Sequence, residues 1–236
     1  MPQETSKALE YFELTARPIE DADLPRLHDL TVGVGWPHRP EDIRLLMDVG
    51  RGYVACDEIG RVIGSAMWFP VGERFATLGM VITSPRMQSR GAGRWLMERV
   101  LADAGDRVKF LNATAPAVRL YEQLGFRPLG AAEQRQGEAV AAAGETPDRG
   151  TLRPAQPEDL HAICRLDQRA SGLDRQVLLG PVLARSSGLL LERGGEPVGF
   201  ALTRPFGRGQ LLGPLVAEDD AAAIEHAHLN DGALRT

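Results

Sequence analysis

The sequence predicts an α/β (α+β) fold in which a complete first domain is followed by a partial second copy of itself. Three observations carry that expectation. Strand-like apolar runs and amphipathic helical segments alternate from Phe12 to Phe126. A glycine loop, Gln88-Ser89-Arg90-Gly91-Ala92-Gly93, separates one such strand from the helix after it. Finally, Thr15-Ala16-Arg17-Pro18, followed by Asp23-Leu24, Leu27 and Leu30, recurs as Thr151-Leu152-Arg153-Pro154, followed by Asp159-Leu160, Ile163 and Leu166, at a constant offset of 136 residues.

In order, residues 12–16 read as a strand, 21–30 as a helix and 32–39 (VGVGWPHR) as an irregular loop. Residues 40–49 form a second helix with Glu41 and Asp42 in its first turn, where the helix dipole favours acids. Strands at 52–57 and 62–69 are joined by the turn Glu58-Ile59-Gly60-Arg61, and a further turn at 70–74 leads to the strand 75–84 (FATLGMVITS), which stops at Pro85. In the helix that follows the glycine loop, Leu96, Met97, Val100, Leu101 and Ala104 share one face, and Arg94, Glu98, Arg99 and Asp103 the other. A short strand at 108–112 and a helix beginning at Ala117 complete the first domain, 1–132. Residues 131–150 are rich in Ala, Gln, Glu and Gly and lack aromatics, so 133–150 reads as a linker and 151–236 as the second domain.

With 236 residues, 43% hydrophobic and 25% charged, the chain can bury one large or two small cores. A net charge of −5 gives no general attraction to nucleic acid. Residues 1–10 (MPQETSKALE) are too polar for a signal peptide and no apolar run approaches 18 residues, so no membrane partner is expected and a cytoplasmic location is the default. Cys56 and Cys164 make neither a disulfide framework nor a metal cluster. The pair His226 and His228 is spaced two apart, which puts the rings on different helical faces, so no metal is expected.

A loop between a buried strand and a helix aims the unpaired N–H groups of the helix's first turn at an anion, and the helix dipole adds attraction. Gly91 and Gly93 let a phosphate approach the backbone, while Arg86, Arg90 and Arg94 supply positive charge. The P-loop is excluded because Arg94-Trp95, not Lys-Ser/Thr, follows the last glycine. The three-glycine dinucleotide fingerprint is excluded because only two glycines are present and several strands come first.

The order strand, Gln/Arg-x-x-Gly-x-Gly/Ala, helix resembles the acetyl-CoA site of the GNAT superfamily of N-acetyltransferases. A second motif strengthens it: Ala117-Val118-Arg119-Leu120-Tyr121-Glu122-Gln123-Leu124-Gly125-Phe126 resembles the A-x-x-L-Y-x-x-x-G-F helix that flanks the coenzyme in that family and leads into a strand. The resemblance covers residues 12–130. It implies a GNAT-type central mixed sheet flanked by helices, followed by a partial, degenerate second GNAT-like copy. It also implies an N-acetyltransferase that moves acetyl from acetyl-CoA, a co-substrate, to a primary amine of a small molecule or peptide by direct attack in a ternary complex. The alternative is a non-catalytic acyl-CoA-binding regulatory protein.

Under this resemblance the coenzyme-binding residues are Gln88, Ser89, Arg90, Gly91, Ala92, Gly93 and Arg94 for the pyrophosphate. A backbone N–H among Met80, Val81, Ile82 and Thr83 serves the thioester carbonyl, with Gly79 marking a bulge. Asn112 and Arg119 are further contacts or structural residues. Tyr121 matches the hydroxyl that protonates the leaving sulfur and otherwise reads as a core aromatic. For the base, Glu73, in the turn before the loop-bearing strand, stands against a solvated turn acid, and His38 against surface decoration. Trp36 and Trp68 read either as walls of the acceptor pocket, with His38, or as core.

The second copy departs from the pattern at the chemistry. Gly79-Met80-Val81-Ile82 aligns with Gly213-Pro214-Leu215-Val216, and residues 64–70 with 199–205. Gln88, Gly91 and Gly93 align with Ala222, Glu225 and Ala227 after the acids Glu218-Asp219-Asp220, which would repel a phosphate. No counterpart of the tyrosine helix follows. The edge so left is expected to be covered by the first domain or by a second subunit, as in a homodimer.

Overall fold

In the computed structural model, which describes residues 6–9, 12–85, 91–138, 150–219 and 223, the first strand is one of which the polar residues 1–10 give no sign. It is β1 (Ser6–Leu9), antiparallel to β2 (Phe12–Pro18). After a 3-10 turn, α1 (Leu24–Gly33) follows, and α2 (Pro40–Val49) has the bounds read from the sequence. The strands β3 (Arg51–Cys56), β4 (Val62–Val71) and β5 (Phe75–Thr83), then α3 (Ala92–Asp103), β6 (Val108–Leu111) and α4 (Val118–Gln123), complete the first unit, Met1–Glu133. The order in the sheet is β1-β2-β3-β4-β5-β6, antiparallel except for the parallel pair β5–β6, so the sheet is mixed as expected.

Burial alternates residue by residue along β5, and its buried residues divide between two clusters, Ala76 and Leu78 in one and Met80 and Ile82 in the other, so the strand is covered on both faces. One face packs on α1 and α2 through Leu27, Ile43, Val54, Met67, Met80 and Ile82. The other packs on α3 through Leu14, Ala55, Trp68, Leu96, Met97 and Val100. Each such side chain contributes about 1.5–3 kcal/mol when fully buried. Arg99, expected on the solvated face of α3, is instead only 6% exposed. Its guanidinium lies over the rings of Trp95 and Tyr53, at 5.1 and 5.7 Å from their centroids, an attraction that compensates for burial.

The strand that the resemblance implies after Phe126 is absent among the described residues, and 127–138 are irregular. Pro128 offers no N–H, Gly130 disfavours a strand, and Leu129 is 96% exposed, so nothing there rewards pairing.

The second unit, Gln134–Thr236, contains β7 (Thr151–Pro154), α5 (Leu160–Ser171), α6 (Gln176–Leu183), β8 (Ser187–Arg193), β9 (Glu196–Phe206) and β10 (Gly209–Ala217). Its sheet, β10-β9-β8-β7, is antiparallel and repeats the order β5-β4-β3-β2.

The repeat extends to an ion-pair clamp where strand turns into helix. Both Nη atoms of Arg17 donate to Asp23 at 2.7 Å, and Asp23 also accepts the Glu20 N–H at 2.9 Å. Arg153 grips Asp159 at 2.7 and 2.8 Å, and Asp159 accepts the Gln156 N–H at 2.8 Å. The hydrogen bonds from Arg17, aided by the Glu20 N–H, hold the Asp23 carboxyl below the usual carboxylate range despite its burial. A group with a depressed folded pKa stabilises the fold above its unfolded pKa, about 3.9, and loses that contribution as the pH falls through its folded value. Asp23→Ala is therefore expected to lose about 2 kcal/mol at neutral pH, with the gap to wild type closing below about pH 4. Urea unfolding followed by tryptophan fluorescence measures this in the first unit, which holds all three tryptophans, Trp36, Trp68 and Trp95. A gap that persists unchanged to pH 2 would rule the clamp out as its source.

Candidate functional site

Pairing of β5 with β6 runs from Phe75–Val108 to Leu78–Leu111 and stops, although β5 continues to Thr83. On its other edge, the register with β4 shifts between Ser65 and Met67, leaving Met80 and Val81 without partners. This is a β-bulge next to the place where the two parallel strands part. Met80 sits at φ 50°, the one non-glycine residue with positive φ among those described. That conformation costs about 1–2 kcal/mol. It is held by a hydrogen bond of 2.7 Å from the Ser65 hydroxyl to the Met80 carbonyl, inside the core. Gly79, expected to mark the bulge, is the last residue paired with β4 before it, and a Cβ there would come within 3.2 Å of the Phe69 ring.

At the start of α3, Gly91 is left-handed at φ 83°, a conformation suited to glycine. The N–H groups of Ala92, Gly93 and Arg94 begin the helix and have no preceding helical carbonyl. A Cβ on Gly93 would lie 3.6 Å from Thr83 and 3.8 Å from Leu120, so the end of β5, the start of α3 and α4 meet there. Lys7, which sequence reading passed over, donates from Nζ to the Gly91 carbonyl at 3.3 Å. Arg94 pairs with Glu98 one turn on, at 2.9 Å, so its charge is already engaged on the helix surface. Gln88, Ser89 and Arg90 lie outside the described residues, as do Ala222, Glu225 and Ala227 of the second copy.

Asn112 is exposed immediately past the last paired residue of β6, and Arg119 is exposed on α4. Tyr121 is 8% exposed, meets Phe126 edge-on at 6.0 Å, and burial pushes its phenol pKa up. Trp36 and His38 come together in the α1–α2 connection, with ring centroids 5.6 Å apart, and Trp36 packs on the cluster containing Met80 and Ile82.

Two expected site residues fall elsewhere. Glu73 is exposed in the β4–β5 turn, at the opposite end of β5 from Thr83, roughly 20 Å along the chain from Met80. Trp68 is core: it is 4% exposed, donates Nε1–H to Asp103 at 2.8 Å, and carries the Arg107 guanidinium over its ring at 5.2 Å. A cavity of about 320 Å³, lined by Ile19, Glu20, Arg51, Tyr53, Met67 and Asp103, lies where β2 ends and β3 begins. Met67 of β4 is on its wall, whereas the β5–β6 gap lies on the other side of β5. Among the described residues no three His, Cys, Asp or Glu side chains gather as a metal group, and no helix is long and apolar enough to cross a membrane.

The second unit repeats the bulge with different residues. The register of β10 with β9 shifts between Leu212 and Leu215, leaving Gly213 and Pro214 unpaired. Pro214 occupies the Met80 position and has no N–H to give, and Phe200 occupies that of Ser65.

A mixed sheet whose bulged strand parts from a parallel neighbour and feeds a glycine-opened helix defines an acyltransferase fold. Residues 19–126 match the acetyltransferase (GNAT) family, and residues 163–229 match a second acetyltransferase (GNAT) domain. A candidate acetyltransferase from Pyrococcus horikoshii superposes with a TM-score of 0.70 at 18% identity, over 94% of this chain and 77% of its own. A GCN5-related N-acetyltransferase from Kribbella flavida gives 0.56 at 19% identity, over 97% of this chain and 62% of its own. No curated protein matches the sequence at a significant level. The chain belongs to the GNAT acetyltransferases, with two of their domains in tandem, and its class of reaction is acyl transfer.

The two loop glycines make opposite predictions for stability. Gly91→Ala forces a Cβ into a left-handed residue and to within 3.2 Å of Lys7 Nζ, and should destabilise by about 1–2 kcal/mol. Gly93→Ala meets only ordinary contacts inside a helix and should be neutral or stabilising by up to about 1 kcal/mol. Urea melts of both variants check this, and equal losses would contradict it.

Proposed function

We propose that the first unit is an N-acetyltransferase that moves an acetyl group from acetyl-CoA to a primary amine of a small molecule or peptide, by direct attack within a ternary complex. The observation that carries this reading is the bulge at Met80 and Val81 beside the end of the β5–β6 pairing, continuous with the glycine-opened start of α3. Acetyl-CoA supplies the thioester whose carbonyl the amine attacks.

The residues then divide the work. The first-turn N–H groups of α3, with Gly91, Ala92, Gly93, Arg94 and the loop residues Gln88, Ser89 and Arg90, hold the pyrophosphate, and Lys7 adds an ammonium at the same mouth. The backbone from Met80 to Thr83 meets the pantetheine arm and gives an N–H to the carbonyl oxygen as it gains negative charge. Asn112 and Arg119 flank the gap. Tyr121 keeps its proton at neutral pH, since burial raises its pKa above the ordinary value of about 10, and gives it to the departing sulfur. Trp36 and His38 line the acceptor side, on the face of the sheet that carries the Met80 side chain. Glu73 is too far from the bulge to take the amine's proton, which passes to solvent. The second unit supports acceptor choice or assembly, for its bulge carries Pro214.

Titration calorimetry should give one coenzyme A site per chain, and thiol release in a panel of amines should identify the acceptor class. Two equivalent sites would overturn the division of labour, and binding without release on any amine would leave a non-catalytic acyl-CoA-binding protein. Gly91→Glu should abolish binding, because bulk and negative charge enter the phosphate cradle. Tyr121→Phe should lower turnover about tenfold or more and change coenzyme affinity by no more than about twofold. Unchanged turnover would mean that another group protonates the sulfur.

A further inference from the structure

We propose that Ser65 is a positioning residue for acyl transfer, its hydroxyl fixing the Met80–Val81 peptide so that the Val81 N–H is held ready for the acyl carbonyl oxygen. This rests on the reading of the first unit as an acetyl-CoA-dependent acyltransferase. Ser65 is fully buried in β4, between apolar neighbours, where a hydroxyl has to find a partner. It finds the Met80 carbonyl, at 2.7 Å, as a donor across 15 positions of sequence. The carbonyl of Met80 and the N–H of Val81 belong to one planar trans peptide and point in opposite directions. Fixing the carbonyl toward Ser65 therefore directs the Val81 N–H away from Ser65. Neither Met80 nor Val81 has a register partner on β4, and β6 has ended its pairing at Leu78, so the sheet ladder does not set this peptide's orientation. The left-handed φ of Met80 shows that the orientation is imposed against local preference.

The chain contains its own comparison. In the second unit the Met80 position is Pro214, which has no N–H of its own and lies in an equivalent register shift, and the Ser65 position is Phe200, fully buried. The hydroxyl and the bulge residue that it holds are replaced together, while the strand order, the register shift and the Arg–Asp clamp are kept.

Ser65→Ala in the full chain keeps the Cβ and removes the hydrogen bond. Binding of acetyl-CoA labelled with ¹³C at the acetyl carbonyl, followed by difference infrared spectroscopy, reads polarisation at that carbonyl directly and needs no knowledge of the acceptor. The wild type should lower the carbonyl stretch on binding. Ser65→Ala should return it toward the free value, with affinity for coenzyme A changed by no more than about threefold and thiol release on the best amine reduced about tenfold or more. Ser65→Thr, which keeps the hydroxyl, should recover the lowered stretch. A stretch equally lowered in Ser65→Ala overturns the positioning role alone. A wild type that binds no acetyl-CoA, or binds it with an unshifted carbonyl, overturns the acyl-transfer reading and this proposal with it.

Discussion

A left-handed residue in the middle of a buried strand is the constraint from which the first unit's site follows. Strands lie in the extended region, and Met80 leaves it at φ 50° with a full side chain. Three consequences meet at that point. The ladder with β4 slips by one residue, the carbonyl of Met80 needs a new donor and takes the Ser65 hydroxyl, and β5 continues beyond the end of its pairing with β6. The Met80 side chain stays in the core with Met67 and Ile82, so packing on the α1–α2 face helps to offset the backbone strain. A site of this kind is made from main chain and packing, with few side chains that announce it.

The two units share a framework and differ at the bulge. Both keep a strand ending in Arg-Pro, a carboxylate six residues after that arginine, and a helix that starts there. This clamp satisfies backbone donors and joins strand to helix, and it is needed whether or not a ligand binds. Among the many positions that differ, two fall at the bulge: Ser65 against Phe200 and Met80 against Pro214. A phenylalanine fills a core as well as a serine and its neighbours do, and a proline fits a strand where the ladder is already interrupted.

Much of this was legible in the sequence, and what was not has physical reasons. The bounds of α2 follow from Pro40, the acids after it and Gly50, all local signals. The order of β2 to β6 follows from periodicity and turn residues. β1 does not, because Ser-Lys-Ala-Leu has no pattern of its own and is a strand only by pairing with β2. The strand implied after Phe126 fails on Pro128 and Gly130, which composition could have warned of. At the bulge, composition pointed to Gly79, whereas the conformation is selected by a tertiary hydrogen bond and falls on Met80. Glu73 is close to β5 in sequence but at the wrong end of it, and Trp68 sits on a strand with two buried faces, where sequence does not say which contacts an aromatic will make. Ser65 did leave a trace, as a lone hydroxyl in the apolar run Ile63 to Phe69.

The contact between Lys7 and Gly91 ties the edge strand β1 to the start of α3 across 84 positions of sequence. A substitution that loosens β1 from β2 would therefore also withdraw an ammonium from the glycine that opens the helix, so a change at the margin of the sheet is felt at the head of α3.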